Sequence, residues 1–222
     1  LMSVQRSIPI ARTSLLPNEI QSVLVPLESG WLVQGPQVKS FEDKWGEFTG
    51  SQHNLAVTSC TTGMHLIVAA LGLAPGDEVI VPAFTWISTA NVIEHQGAKP
   101  IFCDTDPITF NIDASQIEAL ITDRTVGIMP VHLFGLAADM DPILAIAKAR
   151  GLWVVEDAAC GFGATYNGQH VGNFGDIGTF SFYPGKNIGA FGDAGCIITN
   201  NKNYAKICER ARNHGALKKY DH

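Results

Sequence analysis

No apolar run in this chain approaches the roughly 18 residues that a membrane span requires. The N-terminal stretch "LMSVQRSIPIARTSLLP" lacks the basic-then-apolar form of a secretory signal. No basic run is long enough for a phosphate-backbone footprint, and the net charge is −6. Nucleic acid is therefore a poor partner, and Lys218-Lys219 reads as a solvated pair. The five cysteines are odd in number, and no two stand at a Cys-x-x-Cys spacing. That argues against a disulfide framework or a zinc site and for reduced thiols in a cytoplasm, most of them packed as small apolar side chains.

What the chain does have is a rhythm. Strand candidates fall at 54–59, 77–83, 99–104, 125–132 and 152–158, rich in Val and Ile and continuous rather than alternating. Such runs suit strands buried on both faces. Helix candidates near 62–72, 85–96, 114–121 and 138–150 lie between them, separated by the turn signals "APGDE", "QGAKP" and "ARG". The alternation predicts an α/β domain with a largely parallel sheet covered by helices. After residue 160 the texture becomes glycine-rich. "YNGQ" signals a hairpin, strands are expected at 177–183 and 195–200, and a helix at about 201–212. The chain stops at "KKYDH" without a clear terminal element, which sets the expectation of a missing part beyond His222.

Ligands of parallel α/β sheets sit beyond the carboxyl ends of strands, so the residues there carry the functional reading. Ser59, Cys60, Thr61 and Thr62 enter a helix whose first N–H groups suit an anion such as phosphate; the plain alternative is a Ser/Thr N-cap. Trp86 follows the second strand as a stacking plate or as a core tryptophan. Glu156 and Asp157 end an apolar strand, where a buried carboxylate needs a partner, and by alternation only one of them faces a given side. Lys186 stands alone in "SFYPGKNIGAFGDAG" (181–195), either pointing to water or presented as an amine nucleophile. Taken together, a phosphate cradle, an aromatic plate, a strand-end aspartate and a later lysine meet the needs of pyridoxal 5′-phosphate: phosphate, ring face, ring nitrogen and aldehyde.

These motifs resemble the DegT/DnrJ/EryC1/StrS family of sugar aminotransferases. The stretches "SGWLVQGPQVKSFEDKW" (29–45), "TSCTTGMH" (58–65), "GDEVIVPAFTWISTAN" (76–91) and "GAKPIFCDTDPITFNID" (97–113) carry the likeness. So do "ITDRTVGIMPVHLFG" (121–135), the run 154–195 and "ARNHG" (211–215). The resemblance implies the large domain of PLP-dependent transferase fold type I, a mostly parallel, mixed central sheet with helices on both faces. It also implies that residues 1–222 form a PLP-binding large domain with its N-terminal segment, lacking the family's smaller C-terminal domain.

By the same resemblance Lys186 is the Schiff-base lysine and proton shuttle, Asp157 pairs with the ring nitrogen and Trp86 stacks on the ring. Cys60 and Thr61, joined by Ser181, contact the phosphate, and Cys160 stands near the ring's phenolic oxygen as a weak donor. The family acts as a homodimer with an amino-acid donor, glutamate, and a nucleotide-linked keto sugar. Relatives that dehydrate carry histidine at the lysine position, so Lys186 favours transamination. A truncated, inactive or regulatory PLP-binding member is the alternative. Trp31, in "SGWLVQGP", is a candidate substrate contact or part of an N-terminal packing loop.

Overall fold

The computed structural model describes residues 8–9 and 12–216; the terminal stretch "KKYDH", with Lys218-Lys219, lies outside the described residues. Seven strands form one sheet: β1 (His53–Val57), β2 (Glu78–Pro82), β3 (Lys99–Cys103), β4 (Thr125–Ile128), β5 (Trp153–Asp157), β8 (Ile177–Ser181) and β9 (Gly195–Thr199). Their spatial order is β1-β9-β8-β5-β4-β2-β3. Strands β3, β2, β4, β5 and β8 pair in parallel, while β9 runs antiparallel to both β8 and β1. The sheet is therefore mixed and mostly parallel, as expected.

The two faces are assigned by strand alternation. Val79 and Val81 of β2 and Val155 of β5 pack with α3 (Cys60–Ala70), α4 (Ser88–Glu94) and α7 (Lys202–Ala211). Ile80 and Val154, one residue out of phase, pack with α5 (Ala114–Leu120) and α6 (Met140–Arg150). A third cluster joins Trp45 of α2 (Pro36–Thr49) to Phe180, Cys196 and Ile198. Helix starts follow local chemistry. Ser59 caps α3 by accepting from Thr62 N at 3.0 Å, Asp113 caps α5 from Ser115 N at 3.0 Å, and Gly151 closes α6 at φ 67°.

The hairpin signal is met by β6 (Thr165–Tyr166) and β7 (Gln169–His170). Asn167 and Gly168 both take positive φ, as a two-residue primed turn demands. Three expectations needed adjustment. The strand expected at 125–132 ends at Ile128, because Pro130 has no N–H to give; pairing resumes as a lone bridge between Val131 and Asp157. The helix expected at 85–96 begins at Ser88, leaving Thr85 to Ile87 as a loop. Two N-terminal helices, α1 (Pro17–Ser29) and α2, were not anticipated.

Candidate active site

A cavity of about 540 Å³ opens at the carboxyl edge of the parallel strands, and Cys60, Thr61, Trp86, Asp157, Cys160, Ser181 and Lys186 all line it. Alternation explains the inward-facing residues. Asp157 shares a face with Val155, and Ser181 with Ile177 and Thr179, so both point to the α3 side. Glu156 points the other way. Its carboxylate takes the Nε2–H of His132 at 2.9 Å and the backbone N–H groups of Gly172, Phe174 and Gly175 at 2.6–2.7 Å. The two acids are thus divided: Glu156 fastens the fold and Asp157 faces the cavity.

Asp157 is 3% exposed. Its Oδ2 accepts the Thr89 hydroxyl at 2.8 Å and its Oδ1 accepts the Ala159 N–H at 3.1 Å. Cys60 Sγ stands 3.7 Å from Oδ1. Burial, and then the Asp157 charge, push the Cys60 thiol well above its usual range, so it remains an S–H donor. No lysine or arginine forms a salt bridge with Asp157 among the described residues. The cavity wall therefore holds a buried carboxylate supported by neutral donors.

At the N-terminus of α3 the hydroxyls of Ser59 and Thr62 are occupied by the cap and by each other, at 2.9 Å. The N–H groups of Cys60 and Thr61 have no protein acceptor among the described residues. The Ser/Thr cap is present, and the next two residues, whose N–H groups it leaves unpaired, line the cavity. Gly195 of β9 makes this approach possible, since a Cβ there would lie 2.5–2.8 Å from Ser59 C, Cys60 N and Phe180 O.

Lys186 sits in a tight loop whose base is closed by Phe182 N to Ala194 O and Ala190 N to Phe182 O, both 2.8 Å. It is half-buried, and its Nζ donates to Cys160 Sγ at 3.1 Å. Trp86 is 77% exposed at the cavity edge, which removes the core reading of this residue. Trp31 is not brought into the cavity; its indole N–H donates to Gln34 O at 2.7 Å and closes its own loop. Thr89 and His132 were not anticipated. The pattern "TWIST" carried the Thr89 signal, since a hydroxyl on the first turn after a strand end can reach a neighbouring strand's carboxylate.

A helix N-terminus, a carboxylate and a lysine at the edge of a mixed seven-stranded sheet define a transferase domain of PLP-dependent fold type I. The chain belongs to the DegT/DnrJ/EryC1/StrS aminotransferase family, whose model matches residues 14–222. It is 46% identical over 208 residues to the "Pleiotropic regulatory protein" of Geobacillus stearothermophilus, covering 93% of this chain and 56% of that protein. It is 44% identical over 215 residues to the "GDP-perosamine synthase" of Caulobacter vibrioides, covering 96% and 58%. Among solved structures, NtdA of Bacillus subtilis with bound cofactor PMP superposes with a TM-score of 0.82 at 38% identity, covering 88% of this chain and 45% of that one. The chain spans a little over half the length of these curated relatives.

Proposed function

We propose that this chain is the cofactor-binding large domain of a pyridoxal-phosphate aminotransferase. The reaction we read moves an amino group from an amino acid, glutamate, to a nucleotide-linked keto sugar. The observation that carries the reading is the convergence of Asp157, Lys186 and the α3 N-terminus on one cavity. The fit is chemical. A buried carboxylate without a cation, two open N–H groups and a half-buried amine match a ring nitrogen, a phosphate and an aldehyde. The relatives named for perosamine synthesis and for a PMP complex support the same class of substrate and cofactor.

When bound, pyridoxal phosphate supplies a carbonyl for amino groups and an electron sink beside the reacting carbon. The protein's part follows from its residues. Cys60 and Thr61 N–H, with the Ser181 hydroxyl, bind the phosphate at the positive end of α3. Asp157, held by Thr89 and Ala159, keeps a proton on the ring nitrogen. The Trp86 indole, at the cavity edge, would cover the ring and exclude water from it. Lys186 Nζ takes a proton from the amino-bearing carbon of the donor and returns one to the acceptor. Cys160 Sγ, which accepts from Lys186 Nζ at 3.1 Å, would hold the amine toward the ring.

We read the working unit as a cytoplasmic homodimer. Among the described residues, no helix is long and apolar enough to cross a membrane. The relative named as a regulatory protein supports a second reading, a cofactor-binding family member with a regulatory role. Mixing the chain with pyridoxal phosphate tests both. A visible band that borohydride abolishes in the wild type, and that never forms in Lys186→Ala, supports cofactor attachment. Amino transfer from glutamate to a nucleotide-linked keto sugar then separates the enzyme from the regulator. Absence of the band sinks the cofactor reading itself.

A further inference from the structure

Cys160 and Lys186 bring a thiol and an amine into contact, with Sγ 3.1 Å from Nζ. Among the described residues neither group makes another side-chain hydrogen bond, and Lys186 forms no salt bridge. Both residues are half-buried and line the cavity, so a small solute that enters it meets both. The other four cysteines are buried.

Backbone bonds hold the pair from both sides. Ala158 N–H bonds to Thr179 O at 2.9 Å and Gly161 N–H to Ala158 O at 2.8 Å, which fixes the turn carrying Cys160 against β8. Lys186 N–H bonds to Tyr183 O at 2.8 Å, in the loop that leaves the end of β8. β5 and β8 are neighbouring parallel strands, so the thiol and the amine come from adjacent strand ends. Two reacting groups held in this way meet without a diffusional search.

Peroxides oxidise an accessible thiol to a sulfenic acid, which condenses with a thiol or a nitrogen beside it. The nitrogen in place here is the lysine amine. We propose that hydrogen peroxide entering the cavity joins Cys160 to Lys186 through a reversible Sγ–Nζ bond, a sulfenamide. In the first step the peroxide O–O bond breaks. One oxygen joins sulfur as Sγ–OH, the other leaves as water, and sulfur gives up two electrons. In the second step the neutral amine attacks sulfur. The S–N bond forms, the S–O bond breaks, and hydroxide leaves with an Nζ proton as water. The chain ends two hydrogens lighter. Dithiothreitol reverses the bond: one thiol attacks Sγ and releases the amine, and the second displaces Cys160 as the reagent closes to its own disulfide. The cross-link stands on the geometry alone. Its consequence rests on the function proposed above: a lysine bonded to sulfur cannot take up pyridoxal phosphate, and a lysine occupied by the cofactor cannot reach sulfur.

The test is treatment of the full chain with hydrogen peroxide, with and without prior loading with pyridoxal phosphate, then tryptic mass mapping without reduction. No lysine or arginine stands between Gly151 and Lys186, so Cys160 and Lys186 share one tryptic peptide. Trypsin cleaves only after a free lysine or arginine side chain. The cross-link should therefore abolish cleavage after Lys186 and give a peptide from Gly151 to Lys202 that is two hydrogens light. Dithiothreitol should restore both the mass and the cleavage, and loading with pyridoxal phosphate should suppress the product. Lys186→Arg should instead leave a sulfenic acid at Cys160, trapped by dimedone. A loss of two hydrogens with cleavage after Lys186 intact is a disulfide and overturns the proposal. So does a sulfenic or sulfinic acid at Cys160 of the wild type with no bonded lysine. An equal yield of the long peptide from the chain unfolded in urea overturns it as well, because the folded geometry would then play no part. Equal cross-linking with and without pyridoxal phosphate supports the bond and counts against cofactor attachment at Lys186, so the two readings fail separately.

Discussion

Lys186 Nζ lies 3.1 Å from Cys160 Sγ, and this contact sets Cys160 apart from the other four cysteines. Cys60, Cys103, Cys196 and Cys208 are buried, and burial pushes each thiol up, Cys103 and Cys208 to about 11. Cys160 is half-buried and lines the cavity. Alkylation of the native protein by iodoacetamide should therefore modify one cysteine per chain quickly, and peptide mapping should place it at Cys160. Pyridoxal phosphate should slow that modification by filling the cavity. Fast labelling of several cysteines at once would contradict the burial pattern.

Asp157 and Thr89 are a buried pair in which the hydroxyl orients the carboxylate. Thr89→Val keeps the shape and removes the donor. It leaves one carboxylate lone pair without its partner, at a cost of about 1–3 kcal/mol. Asp157→Asn removes the charge proposed to face the ring nitrogen, and a hydrogen bond to a charged group is worth about 1.5–3 kcal/mol. Equilibrium dialysis should then show pyridoxal phosphate binding weakened roughly ten- to a hundredfold in Asp157→Asn, with a smaller loss in Thr89→Val. Equal affinity in all three proteins would remove Asp157 from the cofactor site.

Gly195 makes a distinct prediction, because its neighbours are backbone atoms that cannot rotate away. A Cβ would stand 2.5 Å from Ser59 C and 2.6 Å from Cys60 N. Gly195→Ala should push β9 away from the start of α3, costing about 1–3 kcal/mol in urea unfolding. Because the same shift displaces the Cys60 and Thr61 N–H groups, phosphate competition against pyridoxal phosphate should also weaken. A variant that loses stability but binds phosphate normally would separate strand packing from the proposed anion site.

The parallel core was legible because its strands are short apolar runs bounded by turn signals. β2, "EVIVP", is buried at every position and was located to within one residue at each end. The site was legible for the same reason, since chemistry at strand ends can be placed once the strands are. The side chosen by Asp157 rather than Glu156 needed the sheet, because alternation separates the two without saying which faces the cavity. α1 escaped because its apolar residues, among them Ile20, Leu24 and Leu27, stay exposed and Pro26 interrupts the pattern. α2 left a readable trace, Gly35-Pro36 at its start and Gly50 at its end, the asymmetry expected of helix termini. The Cys160–Lys186 contact spans 26 residues and depends on the loop closing back over β5, which no local pattern reports.

His65 of α3 and His95, just beyond α4, form a parallel pair with ring centroids 5.1 Å apart and ring nitrogens 3.4 Å apart. Partial burial and then the neighbouring His95 lower the His65 pKa from 6.5. The unfolded chain thus binds more protons than the folded one near pH 6, so stability rises with pH there. It is fully present above the unfolded value, about 6.5, and declines as pH falls through that value toward the lower folded one. Urea midpoints measured from pH 7.5 to 5 should fall less steeply in His65→Gln than in the wild type. Parallel slopes would mean that the pair does not sense pH.

Glu156 gives the sharpest stability prediction, because both of its oxygens are fully committed. Oε1 accepts from Phe174 N and Gly175 N, and Oε2 from Gly172 N and His132 Nε2. His132 Nδ1 accepts from Ala138 N at 3.1 Å, so the imidazole proton lies on Nε2 and points at the carboxylate. Glu156→Gln keeps the shape but replaces one oxygen by an N–H₂ group. Whichever way the amide turns, that group meets two donors instead of two acceptors. Each buried donor left without its acceptor costs about 1–3 kcal/mol, and two are affected. Urea unfolding should show a loss of that size for Glu156→Gln. Glu118→Gln, on an exposed salt bridge with Arg150, should change little, about 0–1 kcal/mol. Asp157 follows Glu156 directly on β5, and its backbone N–H is bonded to Pro130 O at 2.9 Å. Loosening the 172–175 turn therefore threatens the cavity from behind. Glu156→Gln that remains folded at low temperature should bind pyridoxal phosphate less tightly although Glu156 lies outside the cavity. Wild-type stability in this variant would show that the three backbone donors find other acceptors.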